Sequence, residues 1–360
     1  MALTLSTHQV LQRTGPEGIT IPRVDAPLSL IGPDGLEALV SADGQVVLLP
    51  TGGPYLAHLP DGAVVADVHV GDLWLLAGQS NIEGNGDWVD PEPPHAHVRM
   101  LGLDRRWAVA QEPLHRPLHS VDPVRMETID DVERRRQEQT GDRTIGTGPG
   151  LPFARMLAER TGVPIGLVTA AHDGSTMREW DPRRREEGGH SLYGSTALQV
   201  QATGGSIHGV IWYQGESDSH HDGALEYQAA LDRILTALRQ DFGASMVIQV
   251  QQCRLDVDPS LLVPRMPLLT DDAWSQVREL QRTSSADAMV STIDLRLHDF
   301  IHLDRISVRR LGHRLARAAF GERLPAVGQP RRDGDLIMVP LSGLTVTQTP
   351  CSVAGVTLHA

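Results

Sequence analysis

Lysine is missing from this chain: all 32 basic residues among its 360 are arginine. Schiff-base chemistry, Ser-Lys catalysis and phosphate-cradling P-loops each need that ammonium group, so all three are absent by inventory. Cysteine is nearly absent too. Cys253 and Cys351 are too few for a disulfide scaffold or a zinc cage and form no C-x-x-C pair, so both read as ordinary buried or half-buried thiols. Positive charge is outweighed by 45 acidic residues, for a formal net charge of -13. Gripping a phosphate backbone takes clustered cations, so a nucleic-acid partner is not expected. No apolar run approaches the roughly 20 residues that span a bilayer, so neither is a membrane. Residues 1–18 lack a basic start followed by an apolar core. A cytoplasmic location is expected on that ground, or a secreted one if a leader belongs ahead of them. Nothing in the sequence sets an oligomeric state.

What is present is enough apolar matter for a large core, 40% of the residues, in a chain long enough for one big domain and a small accessory one. Residues 18–70 carry short β-like runs broken by Pro-Asp-Gly and Ala-Asp-Gly turns, a hairpin pattern. From about residue 72 to 321, strands alternate with helical stretches at 152–160, 224–242, 271–285 and 305–320, which favours a parallel sheet covered on both faces. The tail, 336–357, returns to short β-like runs. Three segments follow: a β-rich head at 1–69, a catalytic domain at 70–322 and a β-rich tail at 323–360. Head and tail are expected to pack together, since each alone has too few strands for its own core. The polar stretch 122–146 has no apolar face and reads as a solvated loop, with a lid as the alternative.

The run Leu73-Trp74-Leu75-Leu76-Ala77-Gly78-Gln79-Ser80-Asn81 is an apolar strand ending in a turn that carries a serine. Open α/β sheets bind ligands at such strand ends, and Gly78 permits the sharp turn. Ser80 is therefore a candidate nucleophile, and a serine needs a base with an orienting carboxylate. Asp299-Phe300-Ile301-His302 offers both within one turn, just after an expected last strand at 288–295. Two further strand ends supply candidate oxyanion donors. One is the His172-Asp173-Gly174-Ser175-Thr176 turn, where Gly174 presents a bare N–H. The other is Gln214-Gly215-Glu216-Ser217-Asp218, where the Gln214 amide is the donor.

These blocks, with Glu179-Trp180, Trp212-Tyr213, 111–115 and 148–154, resemble those of the SGNH hydrolase superfamily. The similarity spans roughly residues 70–320 and is nearest to its sialate O-acetylesterase-like branch, which includes carbohydrate esterase family 6 and its acetylxylan esterases. The resemblance implies a flavodoxin-like, three-layer α/β/α fold with a parallel central sheet, and removal of acetyl groups from a sugar ester without cofactor or metal. It makes Ser80 the nucleophile, His302 the base and Asp299 its orienter. The oxyanion hole would be the Ser80 and Gly174 amides and the Gln214 side chain. Relatives often read Gly-Gly-Thr where this chain reads Asp173-Gly174-Ser175, a departure that bears on substrate preference.

Gln79, Asn81, Asp173, Trp180 and Glu216 are candidates for substrate contact. For Trp180 the other reading is packing; for Glu216 and Asp218 it is fixing the Gln214 turn or serving His302 as a second acid. His95, His97, His220 and His221 lack a metal-ligand pattern such as H-E-x-x-H and read as surface residues. An α/β-hydrolase elbow would need glycine where Ile82 stands. An SGNH esterase or lipase for longer acyl chains, and a glycan-binding module without catalysis, are the other hypotheses.

Overall fold

The computed structural model describes residues 5–21, 28–35, 37–40, 47–86, 90–126, 146–255 and 269–322, together with short strand pairs between 326 and 357. The head supplies β1 (Val10–Gln12), β2 (Gly18–Ile21), β3 (Leu28–Ile31), β4 (Glu37–Val40), β5 (Val47–Pro50) and β6 (Gly52–His58). It is followed by β7, Val64–Gly78, a 15-residue strand. The first half of β7 pairs with β6 and β1; its second half is the middle of the central sheet. The expected boundary between 69 and 70 therefore falls inside one continuous strand. Near that point Arg13, just after β1, donates from its guanidinium to both carboxylate oxygens of Asp72 at 2.7 Å.

The catalytic region continues with β8 (Val98–Leu101), β9 (Trp107–Val109), β10 (Ile165–Thr169), β11 (Gly209–Tyr213), β12 (Met246–Gln251) and β13 (Ala288–Ser291). The sheet order is β13-β12-β11-β7-β10-β8-β9, with every neighbour parallel except the β8–β9 hairpin. Setting aside that edge hairpin, the order in chain terms is the flavodoxin-like 2-1-3-4-5, with β7 as the first strand. Its switch point lies between β7 and β11, where a ligand crevice belongs.

Helices cover both faces. Helix α1 (Ser80–Glu83) follows β7 directly; α2 (Gly150–Thr161), α3 (Leu192–Ala202), α4 (His221–Phe242), α5 (Asp271–Arg282) and α6 (Arg305–Ala319) form the layers. Along β7 the side chains alternate between two cores. Trp74 and Leu76 join Phe153, Leu157, Leu311 and Leu315 of α2 and α6, while Leu73, Leu75 and Ala77 join Val200, Leu231 and Leu238 of α3 and α4. Burial on both sides explains why the strand is apolar at every position rather than at every second one. The head has a third core, built on Leu11, Ile21, Leu30, Tyr55, Val68 and Val70. Among the described residues the tail strands pair only with one another, as 326–327 with 341–342, 331–333 with 336–338, and 352–353 with 356–357. The expected pairing of head with tail finds no strand contact there.

Candidate active site

Two strand ends and a loop converge. Gly78 closes β7 at a positive φ of 131°, and a Cβ there would come within 2.0 Å of Tyr213 O, so only glycine lets β7 and β11 approach this closely before the chain turns into Ser80. At the end of β10, Ala170 N–H donates to Leu76 O and His172 N–H to Gly78 O, both at 3.0 Å. That pins the Asp173–Gly174 turn beside the Ser80 turn. The third element, the loop before α6, returns from the far edge and delivers His302.

Ser80 Oγ lies 3.0 Å from His302 Nε2, and His302 Nδ1 lies 2.7 Å from Asp299 Oδ2. The other carboxylate oxygen, Asp299 Oδ1, accepts the backbone N–H groups of Ile301 (2.9 Å) and His302 (2.7 Å). Burial pushes the Asp299 carboxyl up, but the bond to His302, its charge and the two amides outweigh that and hold it well below the usual carboxylate range. For His302 burial alone would lower the pKa. The bond to Asp299 and the negative charges of Asp299, Asp173 and Glu216 reverse the sign and raise it above the ordinary imidazole value. The backbone N–H groups of Ser80 and Gly174 make no hydrogen bond among the described residues. Gly174 is exposed, in the left-handed region at φ 64°, with open space where a Cβ would be.

Residues 70–321 match the sequence profile of the family described as carbohydrate esterase, sialic acid-specific acetylesterase. The chain belongs to this family. An Arabidopsis thaliana member named "Probable carbohydrate esterase" is 35% identical over 192 residues, 47% of this chain and 63% of its own length, so the match leaves over a third of that relative uncovered. A carbohydrate acetylesterase from Xanthomonas citri shares the fold at TM-score 0.63 and 24% identity, over 95% of this chain and 81% of that one. The Arabidopsis protein At4g34215 superposes at TM-score 0.52 with 26% identity, over 69% of this chain and 97% of its own.

Within this carbohydrate esterase framework several sequence candidates occupy other places than expected. Asn81 is buried: its Nδ2 donates to Glu216 Oε1 (2.8 Å) and Ile301 O (3.1 Å), and its Oδ1 accepts Leu303 N–H (3.1 Å). It clamps the backbone on both sides of His302 rather than facing a substrate. Gln79 is buried as well, its Oε1 accepting the N–H groups of Gly215 (3.2 Å) and Ser217 (3.3 Å). It ties the Ser80 turn to the turn after β11. Glu216 is fully buried behind Asn81, and burial raises its carboxyl pKa. Trp180 offers no face to a sugar: it is 1% exposed, packs edge-on against Trp212 and donates from Nε1 to Ser175 Oγ at 2.9 Å.

Gln214 departs furthest from expectation. Its Nε2 donates to Ser175 O (3.1 Å) and Asp218 Oδ2 (2.5 Å), which consumes both amide hydrogens and leaves none for an oxyanion. Asp218 also accepts Met177 N–H at 2.9 Å. The pair braces the Gly174 turn from behind, so Gln214 acts on the two-amide site through Ser175. Asp173 is the one substrate-contact candidate that stays half-exposed.

Two residues here were not singled out from sequence. Arg125, in the stretch read as solvated, is fully buried; it donates to Ser195 Oγ (2.8 Å), Ala171 O (3.0 Å), Leu192 O (3.0 Å) and Thr196 Oγ1 (2.8 Å), and lies over the Trp180 ring. Burial pulls its guanidinium down to about 10, which keeps it charged at neutral pH. His115 Nε2 accepts Ala171 N–H at 3.1 Å, and burial with the Arg125 charge holds it down to about 3. Both backbone groups of Ala171, just ahead of the Gly174 turn, are thus fixed by buried side chains. No sequence signal distinguishes Arg125 from its exposed neighbours. The lid expectation lies outside the described residues at 127–145, as does Cys351; Cys253 is buried as expected.

One cluster has the composition of a metal site, His298, Asp299 and His302, with ligand atoms within 4.8 Å of one another. There Asp299 Oδ2 and His302 Nδ1 are already joined to each other. His220 caps α4, its Nδ1 accepting Gly223 N–H at 3.3 Å; it and His95 and His97 are half-exposed, and His221 is exposed.

Proposed function

We propose that this chain is a serine esterase that removes O-acetyl groups from a carbohydrate. Ser80 is the nucleophile, His302 the general base and acid, and Asp299 the group that holds the imidazole with its Nδ1 proton inward and its Nε2 lone pair toward Ser80. The observation that carries this reading is the unbroken chain from Asp299 Oδ2 through the imidazole to Ser80 Oγ, at 2.7 and 3.0 Å. Those are distances at which a proton passes without rearrangement.

In the first half-reaction Ser80 Oγ attacks the acetyl carbonyl as His302 takes its proton. The oxyanion meets the Ser80 and Gly174 amides, which have no other partner among the described residues. Collapse expels the sugar alkoxide, which leaves with the proton from His302 and forms the acetyl-enzyme. Water, deprotonated by His302, then repeats the attack and releases acetate and Ser80. The family description supports the sugar ester as substrate class. The direct test is acetate release from acetylated xylan, O-acetyl sialic acid and acetylated monosaccharides by wild type and Ser80→Ala. Wild-type release from at least one of them is expected, with a loss on the order of a millionfold in the variant. A variant that kept most of its activity would refute the assignment. Hydrolysis of long-chain esters with no acetate released from any sugar would favour an esterase for longer acyl groups.

A further inference from the structure

Asp173 is half-exposed and sits on the same turn as the exposed Gly174. It precedes Gly174, and the His172 N–H bond to Gly78 O (3.0 Å) sets it beside the turn that carries Ser80. From behind, Ser175 O is held by Gln214 and Met177 N–H by Asp218, so the segment bearing Asp173 is fixed at both flanks. Its negative charge helps raise the pKa of both His302 and Glu216. The charges acting most strongly on His302, those of Asp299, Asp173 and Glu216, are all negative. Glu216 is fully buried, and the oxygens of the half-exposed Asp299 are engaged by His302 and by two backbone N–H groups, whereas Asp173 is half-exposed on the open Gly174 turn.

We infer that Asp173 is a specificity-determining residue that favours esters of neutral sugars and disfavours those whose alcohol part carries a carboxylate. The inference rests on the esterase reading above and narrows its substrate class. An acidic sugar seated with its acetyl carbonyl at Ser80 brings a second anion to the Asp173 carboxylate. Like charges in a partly desolvated cleft repel. A neutral sugar instead presents hydroxyl donors, which a carboxylate accepts well. The repulsion screens with salt because Asp173 is not buried.

The test compares two matched pairs. One is an O-acetylated methyl glucuronide against its carboxyl methyl ester; the other is 3-carboxy-4-nitrophenyl acetate against 4-nitrophenyl acetate. Each is measured as kcat/KM with wild type, Asp173→Asn and Asp173→Gly, at low and high salt. Wild type should prefer the uncharged member of each pair by about tenfold at low salt, a ratio that shrinks at high salt. Both variants should bring the ratio down at least fivefold, whatever happens to the absolute rates. Asp173→Asn keeps the side-chain shape, and Asp173→Gly removes it, so a folding defect in one leaves the other. A wild type that prefers the charged member, or ratios that stay within twofold of wild type in both variants, overturns the inference. If neither sugar ester is cleaved while the aryl pair behaves as described, the Asp173 role stands and it is the carbohydrate reading that fails.

Discussion

Replacing Asp299 with asparagine isolates what one oxygen atom does. In the wild type Oδ1 accepts two backbone N–H groups and Oδ2 accepts the Nδ1 proton of His302. An asparagine must choose which side its NH2 faces. Turning it toward the backbone would set it against the N–H groups of Ile301 and His302 and orphan both, at about 1–3 kcal/mol each, or roughly 2–6 kcal/mol in total. Turning it toward the imidazole costs only a tautomer change, so that orientation wins. His302 Nδ1 then accepts, the proton moves to Nε2, and Nε2 points a hydrogen at Ser80 where a lone pair is needed. In serine-protease triads this same swap costs about 10⁴ in kcat, equivalent to about 5.5 kcal/mol of barrier. Steady-state kcat/KM on 4-nitrophenyl acetate, with circular dichroism and thermal melting on the same samples, should show that loss in a folded protein. A second signature follows from the low folded-state pKa of Asp299. A depressed carboxylate contributes stability above its unfolded value of about 3.9, lost as pH falls through the folded value. The Tm gap between wild type and Asp299→Asn should therefore narrow only in strong acid. A loss of activity below tenfold would show that another group orients His302 and would refute the reasoning.

Two further outcomes are expected. Asn81→Ala removes three hydrogen bonds, strands Leu303 N–H and a Glu216 oxygen in the interior and leaves Ile301 O to the weak Cys253 thiol donor; at about 1 kcal/mol for each bond, stability should fall by about 3 kcal/mol, or roughly 6–12 °C in Tm. Because the His302 loop loses its clamp, kcat should drop by about a hundredfold with KM nearly unchanged, and unaltered kinetics would refute the clamp. In the wild type, kcat/KM should rise with pH through a midpoint above about 6.5, since the base works only when deprotonated and its folded-state pKa is raised. The charged imidazole is favoured by folding, so its contribution to stability is full below about 6.5 and is lost as pH climbs through the folded value. A midpoint below about 6 in the rate profile would contradict this.

The fold could be read where chemistry and periodicity agree, and failed where burial is satisfied by partners distant in sequence. The β7 run, the β10 and β11 ends and the helices near 150–161, 221–242, 271–282 and 305–319 are visible because apolar residues dominate them. Strand β12 is hidden because Gln249 and Gln251 are polar positions of a covered sheet, with Gln251 Nε2 donating to Arg278 O at 2.9 Å. Helix α3 is hidden because it is buried around much of its circumference, with Gly194, Ser195 and Thr196 in its first turns and no amphipathic stripe. At the site, Ser80, Asp299 and His302 were legible from residue type and position at strand ends. The inward roles of Gln79, Asn81, Glu216 and Gln214 were not, because each depends on a side-chain orientation or a contact that spacing does not encode; Asn81 and Glu216 alone are 135 positions apart.

The continuity of Val64–Gly78 has a practical consequence for anyone trimming this chain to the 70–321 span of its family match. A cut at residue 70 would take away the outer half of β7 together with β1 and β6, leaving Val70 of a stripped core bared to water and a raw sheet edge ready to stick to its neighbours. The damage would be done eight residues upstream of the Gly78 turn, on the same strand that aims the serine. In this protein the head is a splint on the catalytic strand, and an expression fragment that discards it should be insoluble before it is inactive.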